Sequence, residues 1–274
     1  MTVEWSPDGQ LDLESPVMIV AFEGWNDAAD VATGTIEHLA LNWEARQIAE
    51  IGGDEFFDYL DQRPVVTHSG GVSRSIEWPR IVVSACSPDG VANDVLLVRG
   101  PEPALKWRRF ASEFVDLVDT LGVSQVVLLG AYLADVPHTR PVPLTGAAFS
   151  RQRMATMGIE PSDYSGPTGM TGVLQQLLTE AEDDQDRVPA AGDQEHWTRG
   201  VSLRTRAVGA VMTLALLTGP VALGWVALDQ FSSSTGTAVP AASQDGDRAA
   251  RMAAANETAT QWVLAWLSAD RTTP

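Results

Sequence analysis

Glu23, Asn26 and Asp27 stand within one short stretch, with Trp25 among them, directly after the apolar run Val17–Phe22. Carboxylates and a carboxamide at that spacing can cap a helix, orient a polar ligand or partner, or move a proton. A second group, His138, Thr139 and Arg140, lies between Pro137 and Pro141, shortly after the apolar run Val126–Leu129. An imidazole beside a guanidinium suits anion orientation or proton transfer near neutral pH. Both runs lack polar alternation, the pattern of strands buried on both faces. The loops at the carboxyl ends of such strands are where α/β proteins place their sites. Each group also has a plain structural reading. Asn26 or Asp27 can simply cap the next helix, leaving Glu23 as a solvated acid that would repel a phosphate. The His138–Arg140 loop can be a hydrogen-bond network or a contact between subunits. Asp61 and Arg63 read as a surface pair.

Other chemistries find no support in the residues. Gly166, Gly169 and Gly172 recur every third residue, but no lysine follows as in a phosphate loop, so they read as turns. There is no Gly-x-Ser-x-Gly elbow and no His-Glu-x-x-His pair. His38, His68 and His196 lack ligand-like neighbours, and the single cysteine, Cys86, excludes both an intrachain disulfide and a Cys/His zinc pattern. No metal and no cofactor are therefore expected. Cys86 ends the apolar-rich segment 81–86 and reads as a buried structural thiol. A formal net charge of −18, from 36 acidic and 18 basic residues, argues against general nucleic-acid binding, which needs a cationic face. The amino terminus lacks an apolar core, so no cleavable signal peptide is expected. Asn256-Glu-Thr258 matches a glycosylation sequon, a tripeptide that often arises by chance.

The elements that must hold these groups alternate. A strand over 17–22 leads through a tight turn into a helix whose apolar positions Ala28, Val31, Ala32, Ile36 and Leu39 keep helical spacing. Ala45–Ile51 and Asp94–Val98 read as strands, and Val65–Thr67 with Arg74–Trp78 as a hairpin. A helix from Ala104 to about Leu121 places Trp107, Phe110, Phe114, Leu117 and Val118 on one face. The strand over 126–129, closed by Gly130, follows. Beyond the glycine-rich stretch a further helix ends near Ala181. Alternating strands and helices predict an α/β fold, a three-layer αβα sandwich around a mixed sheet.

Several motifs in order carry a resemblance. They are Phe22-Glu-Gly-Trp-Asn-Asp-Ala-Ala29, Phe57-Asp-Tyr59 with Arg63-Pro64, and Ile76-Glu-Trp-Pro79. Arg99-Gly-Pro-Glu-Pro103 with Trp107, Val136-Pro-His-Thr-Arg-Pro141 and Tyr164-Ser-Gly-Pro-Thr-Gly169 complete the set. Over about residues 16–178 the chain resembles the proteasome assembly chaperone family in its actinobacterial branch. The resemblance implies a fold of the phosphorylase/hydrolase type, and a protein partner or self-association. It points to a non-enzymatic assembly protein; the alternative is a hydrolase- or phosphorylase-like enzyme acting on a small molecule through the two loops. The family would continue with another strand and a Trp/Pro-rich stretch. Here an acidic run, Glu180–Arg187, follows the helix, so the sheet is expected to be one element short, with an open edge.

The remainder reads as separate pieces. The expected division is an α/β domain over 1–180, an acidic and polar linker over 181–203, a membrane helix over 204–229, and a linker with a short helical tail over 230–274. Ala207–Leu228 contains no charge and as a helix would span ~33 Å, enough to cross a hydrocarbon core. Arg187, Arg199, Arg204 and Arg206 precede it and Asp229 follows. The positive-inside bias then predicts a single-pass membrane protein with its amino-terminal domain cytoplasmic. This tail is similar to the start of membrane-anchored conjugal-transfer proteins. Over 248–269 the positions Met252, Ala255, Ala259, Val263 and Trp266 can share one face of a helix.

Overall fold

The computed structural model describes residues 2–7, 13–69, 73–134, 144–148, 155, 159–162, 164–186, 208–217, 260–261, 263–264 and 267. The strands are β1 (Thr2–Trp5), β2 (Val17–Glu23), β3 (Arg46–Gly52), β4 (Val65–Ser69), β5 (Ser73–Glu77), β6 (Ile81–Cys86), β7 (Val95–Pro101), β8 (Gln125–Ala134), β9 (Leu144–Ala148), β10 (Glu160–Pro161) and β11 (Val208–Leu217). The helices are α1 (Val31–Asn42), α2 (Trp107–Thr120) and α3 (Met170–Asp186). One mixed sheet has the order β1-β3-β6-β7-β2-β8-β11-β9-β10, and β4 and β5 pair only with each other. The middle of the large sheet, β7-β2-β8-β11, is parallel throughout. Antiparallel β6, β3 and β1 extend it on one side, and β9, antiparallel to β11, on the other.

The apolar runs behave as two-sided strands. Val126 and Leu128 enter one core cluster while Val127 and Leu129 enter another, and Val17–Phe22 divides in the same alternating way. Successive side chains of a strand point to opposite faces, so each face must be covered. On one face lie Phe110, Phe114 and Val118 of α2 and Met170, Leu174 and Leu178 of α3. Phe22 meets the rings of Phe110 and Phe114 edge-on at 6.2 and 6.4 Å. On the other face lie Val31, Ile36 and Leu39 of α1, joined by Val263 and Leu267. The sheet is thus layered between helices, and each fully buried aliphatic or aromatic side chain contributes about 1.5–3 kcal/mol.

Three expectations change. Gly130 does not close its strand: β8 runs on to Ala134. The helix expected to end near Ala181 continues to Asp186, through most of the acidic run. The largest correction concerns the charge-free segment. Val208–Leu217 is not part of a membrane helix but strand β11, parallel to β8 over its whole length and antiparallel to β9. A strand near the middle of a doubly covered sheet needs the same uninterrupted apolar composition as a membrane span. Hydropathy alone cannot separate the two. Residues 218–228 lie outside the described ones. No helix among the described residues is long and apolar enough to cross a membrane. The element that the sheet was expected to lack is therefore supplied from beyond the acidic run, and on that side β8 is paired along its whole length. The tail likewise is no separate piece, since Val263 and Leu267 are buried in the core. Residues 260, 261, 263, 264 and 267 are helical as expected, while Trp266 lies outside the described residues.

Candidate functional site

The loop after β2 begins at Gly24, whose φ of 108° lies in the region open to glycine. The Asp27 amide closes a turn onto the Gly24 carbonyl at 3.1 Å. The Asn26 carbonyl then accepts from the Ala131 N–H of β8 at 2.6 Å, and Asp27 forms an isolated parallel bridge with Ala131. From there the Asp27 side chain turns onto the start of α1. Its Oδ1 accepts from the Ala32 N–H at 2.6 Å, and its Oδ2 accepts from the Thr33 hydroxyl. The cap is longer than an ordinary one because a 3-10 turn, Ala28–Asp30, stands between acid and helix. Ala29 and Asp30 hold φ of 57° and 56° there. Left-handed backbone at a non-glycine residue costs about 1–3 kcal/mol, and the Asp27 clasp keeps it in place. Burial pushes the Asp27 carboxyl above its ordinary range, against the pull of the donors on Thr33 and Ala32.

Glu102 performs the same task for α3. Its Oε1 accepts from the N–H of Met170, the first helical residue, while its own carbonyl accepts from Gln62 Nε2 at 2.7 Å. Burial raises this carboxyl too, and the Met170 N–H opposes the rise. Asn26 Nδ2 donates to the Thr171 hydroxyl, so the β2 loop and the α3 amino terminus are joined directly. Gly169 makes the approach possible. A Cβ there would stand 2.6 Å from Glu102 Oε1 and 3.0 Å from Asn26 Oδ1. The loops after β2 and β7 and the amino terminus of α3 are thereby tied together, and the β2 loop is also held to β8 at Ala131.

Of the residues singled out in the sequence, Asn26 and Asp27 belong to this knot. Glu23 is exposed and faces an open cleft of about 450 Å³, shared with Asp61, Arg63, Glu77, Trp78 and Arg80. Partial burial raises the Glu23 carboxyl, opposed by Arg99 and reinforced by Asp27 and Asp30. Trp25 is 62% exposed. His138, Thr139 and Arg140 lie outside the described residues. Among the described residues no group of acids, histidines or cysteine is arranged to hold a metal. Cys86 is partly buried, and desolvation, with Asp94 adding, pushes its thiol up to about 12. Glu102 and Gly169 stand in the motifs that carry the resemblance but were not read as site residues, and Thr171 was not singled out at all. Glu102 is a lone acid between two prolines, and its helix begins 68 residues later. In chemical terms the knot fixes loops and helix ends, since Asp27 and Glu102 direct their oxygens at backbone donors.

The PAC2 family model matches residues 21–188, well over half of the chain. The chain belongs to the PAC2 family. Among solved structures it is similar to the proteasome-assembly chaperone homologue Rv2125 of Mycobacterium tuberculosis, with 33% identity and a TM-score of 0.62. That match covers 89% of this chain and 94% of the other. A PAC2 family protein from Streptomyces avermitilis is 31% identical with a TM-score of 0.61, covering 90% of this chain and 95% of the other. A protein of unknown function from Corynebacterium glutamicum, 23% identical with a TM-score of 0.61 and coverage of 99% and 97%, shares the fold. None of the curated proteins matches the chain. The coverage also bears on the tail. Residues 204–274 make up about a quarter of the chain, more than the tenth or so that the PAC2 structures leave uncovered. A resemblance of this segment to conjugal-transfer proteins finds no support.

Proposed function

We propose that this PAC2 protein is a non-enzymatic assembly factor of the proteasome-assembly-chaperone type, working through protein contacts, with a protein partner or with copies of itself. The observation that carries this reading is its 33% identity, over nearly the whole length of both chains, to a protein described as a proteasome-assembly chaperone homologue. The site geometry agrees in part, because Asp27 and Glu102 direct their oxygens at backbone donors of α1 and α3. Proteasome subunits are the first clients to test. Purified subunits should assemble faster or more completely, on native gels, with the full chain present. The tagged chain should also co-purify with them at a defined stoichiometry. No change in assembly, together with a chain that is strictly monomeric and partnerless, would sink the reading.

One observation favours an enzyme acting on a small molecule instead. Glu23, at the carboxyl end of β2, faces an open cleft with Arg63, Arg80 and the Trp78 ring. A panel of small anions and zwitterions tested by thermal shift against Glu23→Gln would separate the readings, since a binding cleft should respond and lose its response in the variant. The membrane anchor does not enter the proposal. It rested on a helix through residues that here form β11.

A further inference from the structure

We propose that the cleft at the end of β2 binds a zwitterion, an amino acid or short peptide held by its two charged ends, with an apolar side chain laid against Trp78. The cleft is the one that favours the enzymatic reading, and the inference names its ligand. It concerns recognition alone, so binding without turnover would leave it standing while sinking that reading. Its volume of about 450 Å³ lies within the range of small-molecule sites.

The walls are held in place before any ligand arrives. Glu23 and Pro101 stand in register at the ends of the parallel strands β2 and β7. The loop through 61–63 is tied down: the Asp61 and Gln62 N–H groups donate to the Asp58 carbonyl at 3.0 and 2.8 Å, and Gln62 Nε2 donates to the Glu102 carbonyl. Trp78 is set edge-on to Tyr59 at 4.9 Å, and the Tyr59 hydroxyl donates to Asp54 at 2.7 Å. Arg80 is held by Glu50 at 3.1 Å. Fixed walls lower the ordering cost of binding.

The unpaired charges choose among ligands. Among the described residues, neither the Glu23 carboxylate nor the Arg63 guanidinium has a hydrogen-bond or ion-pair partner, although both line the cleft. Arg99, whose charge acts on Glu23, pairs instead with Glu37 at 3.8 Å. An acid and a base that share a cleft without meeting leave one place for an ammonium and another for a carboxylate. Gln62 adds a third requirement. Its bond to Glu102 fixes which way the amide points, so its buried Oε1, without a donor among the described residues, is an acceptor in the same wall. An unmet buried acceptor is costly, and an N–H of the ligand satisfies it. Asp61 and Glu77 line the cleft as well, so acids outnumber the guanidiniums of Arg63 and Arg80, which disfavours a simple carboxylate or phosphate. The exposed ring of Trp78 offers an apolar face to the side chain.

Isothermal titration calorimetry on the full chain tests this with free amino acids, apolar dipeptides such as leucylphenylalanine, and the same dipeptides acetylated at one end or amidated at the other. A free zwitterion should bind, and blocking either end should weaken it by roughly tenfold or more. Glu23→Gln should weaken the free ligand and make it indifferent to acetylation, and Arg63→Gln should do the same for amidation. Both side chains are exposed, so the melting temperature should stay at the wild-type value. A residue that merely shaped the fold would lower every affinity together and would not give this crossed pattern. Whether free amino acids or dipeptides bind more tightly identifies the source of the ligand. Amidated dipeptides that bind as well as the free acids would overturn the zwitterion in favour of a plain amine. No binding by any member of the panel at millimolar concentration would overturn the site.

Discussion

A stop codon after Asp193 would decide whether the charge-free run belongs to the domain. The shortened chain keeps β1–β10 and all three helices but loses β11, Val263 and Leu267. In the whole protein β11 runs beside β8 over ten residue positions and beside β9 over five. Roughly fifteen ladder hydrogen bonds are lost, and at about 1 kcal/mol net for each the loss is on the order of 15 kcal/mol. Uncovering part of the sheet face beneath Val263 and Leu267 adds a few kcal/mol more. A domain of this size has only ~5–15 kcal/mol in hand. The shortened chain should therefore show no cooperative unfolding in urea, followed by far-UV and near-UV circular dichroism. A sigmoidal transition at the full-length midpoint would refute the placement of β11 and return the segment to the role of an appendage.

Gly100→Ala should be among the most damaging single substitutions in the sheet, since the new methyl would lie 2.6 Å from both the Arg80 carbonyl oxygen and the Ile81 Cα. Both are backbone atoms that cannot step aside, and a loss of about 1–3 kcal/mol is expected by urea titration. The raised Asp27 carboxyl makes the folded state bind more protons than the unfolded one. Its contribution is therefore present below the ordinary value of 3.8 and is lost as pH rises through the folded value. The stability of wild type minus that of Asp27→Asn should accordingly fall across that window in urea titrations, and a gap that widens with pH would contradict the geometry. Cys86, with its thiol near 12, should alkylate at pH 8 far more slowly in the folded protein than after denaturation, measured by mass spectrometry.

How far the sequence revealed the fold depended on where the deciding partner lay. Val126–Leu129 was legible because four apolar residues without alternation demand two covered faces, and α2 was legible from the spacing of Phe110, Phe114 and Val118. Ala207–Leu228 was misread because length and apolarity do not say what surrounds a segment. Gly219-Pro220 offered a signal, being ordinary punctuation just after a strand that ends at Leu217. At the site, Asp27 was legible because its cap is local. Glu102 was not, because the α3 amino terminus that gives it meaning is remote in sequence.

The position of β11 also sets a timetable for synthesis. β9 reaches the parallel strands only through β11, which leaves the ribosome about seventy residues later. β8 precedes β11 by 83 residues, so at ~5–20 residues per second its flank stays unpaired for roughly 4–17 s. During that interval an apolar strand offers free hydrogen-bonding groups to any neighbouring polypeptide, including the nascent chains of adjacent ribosomes. Rare codons between β9 and β11 would lengthen the exposure and lower the yield of native protein without altering a single amino acid.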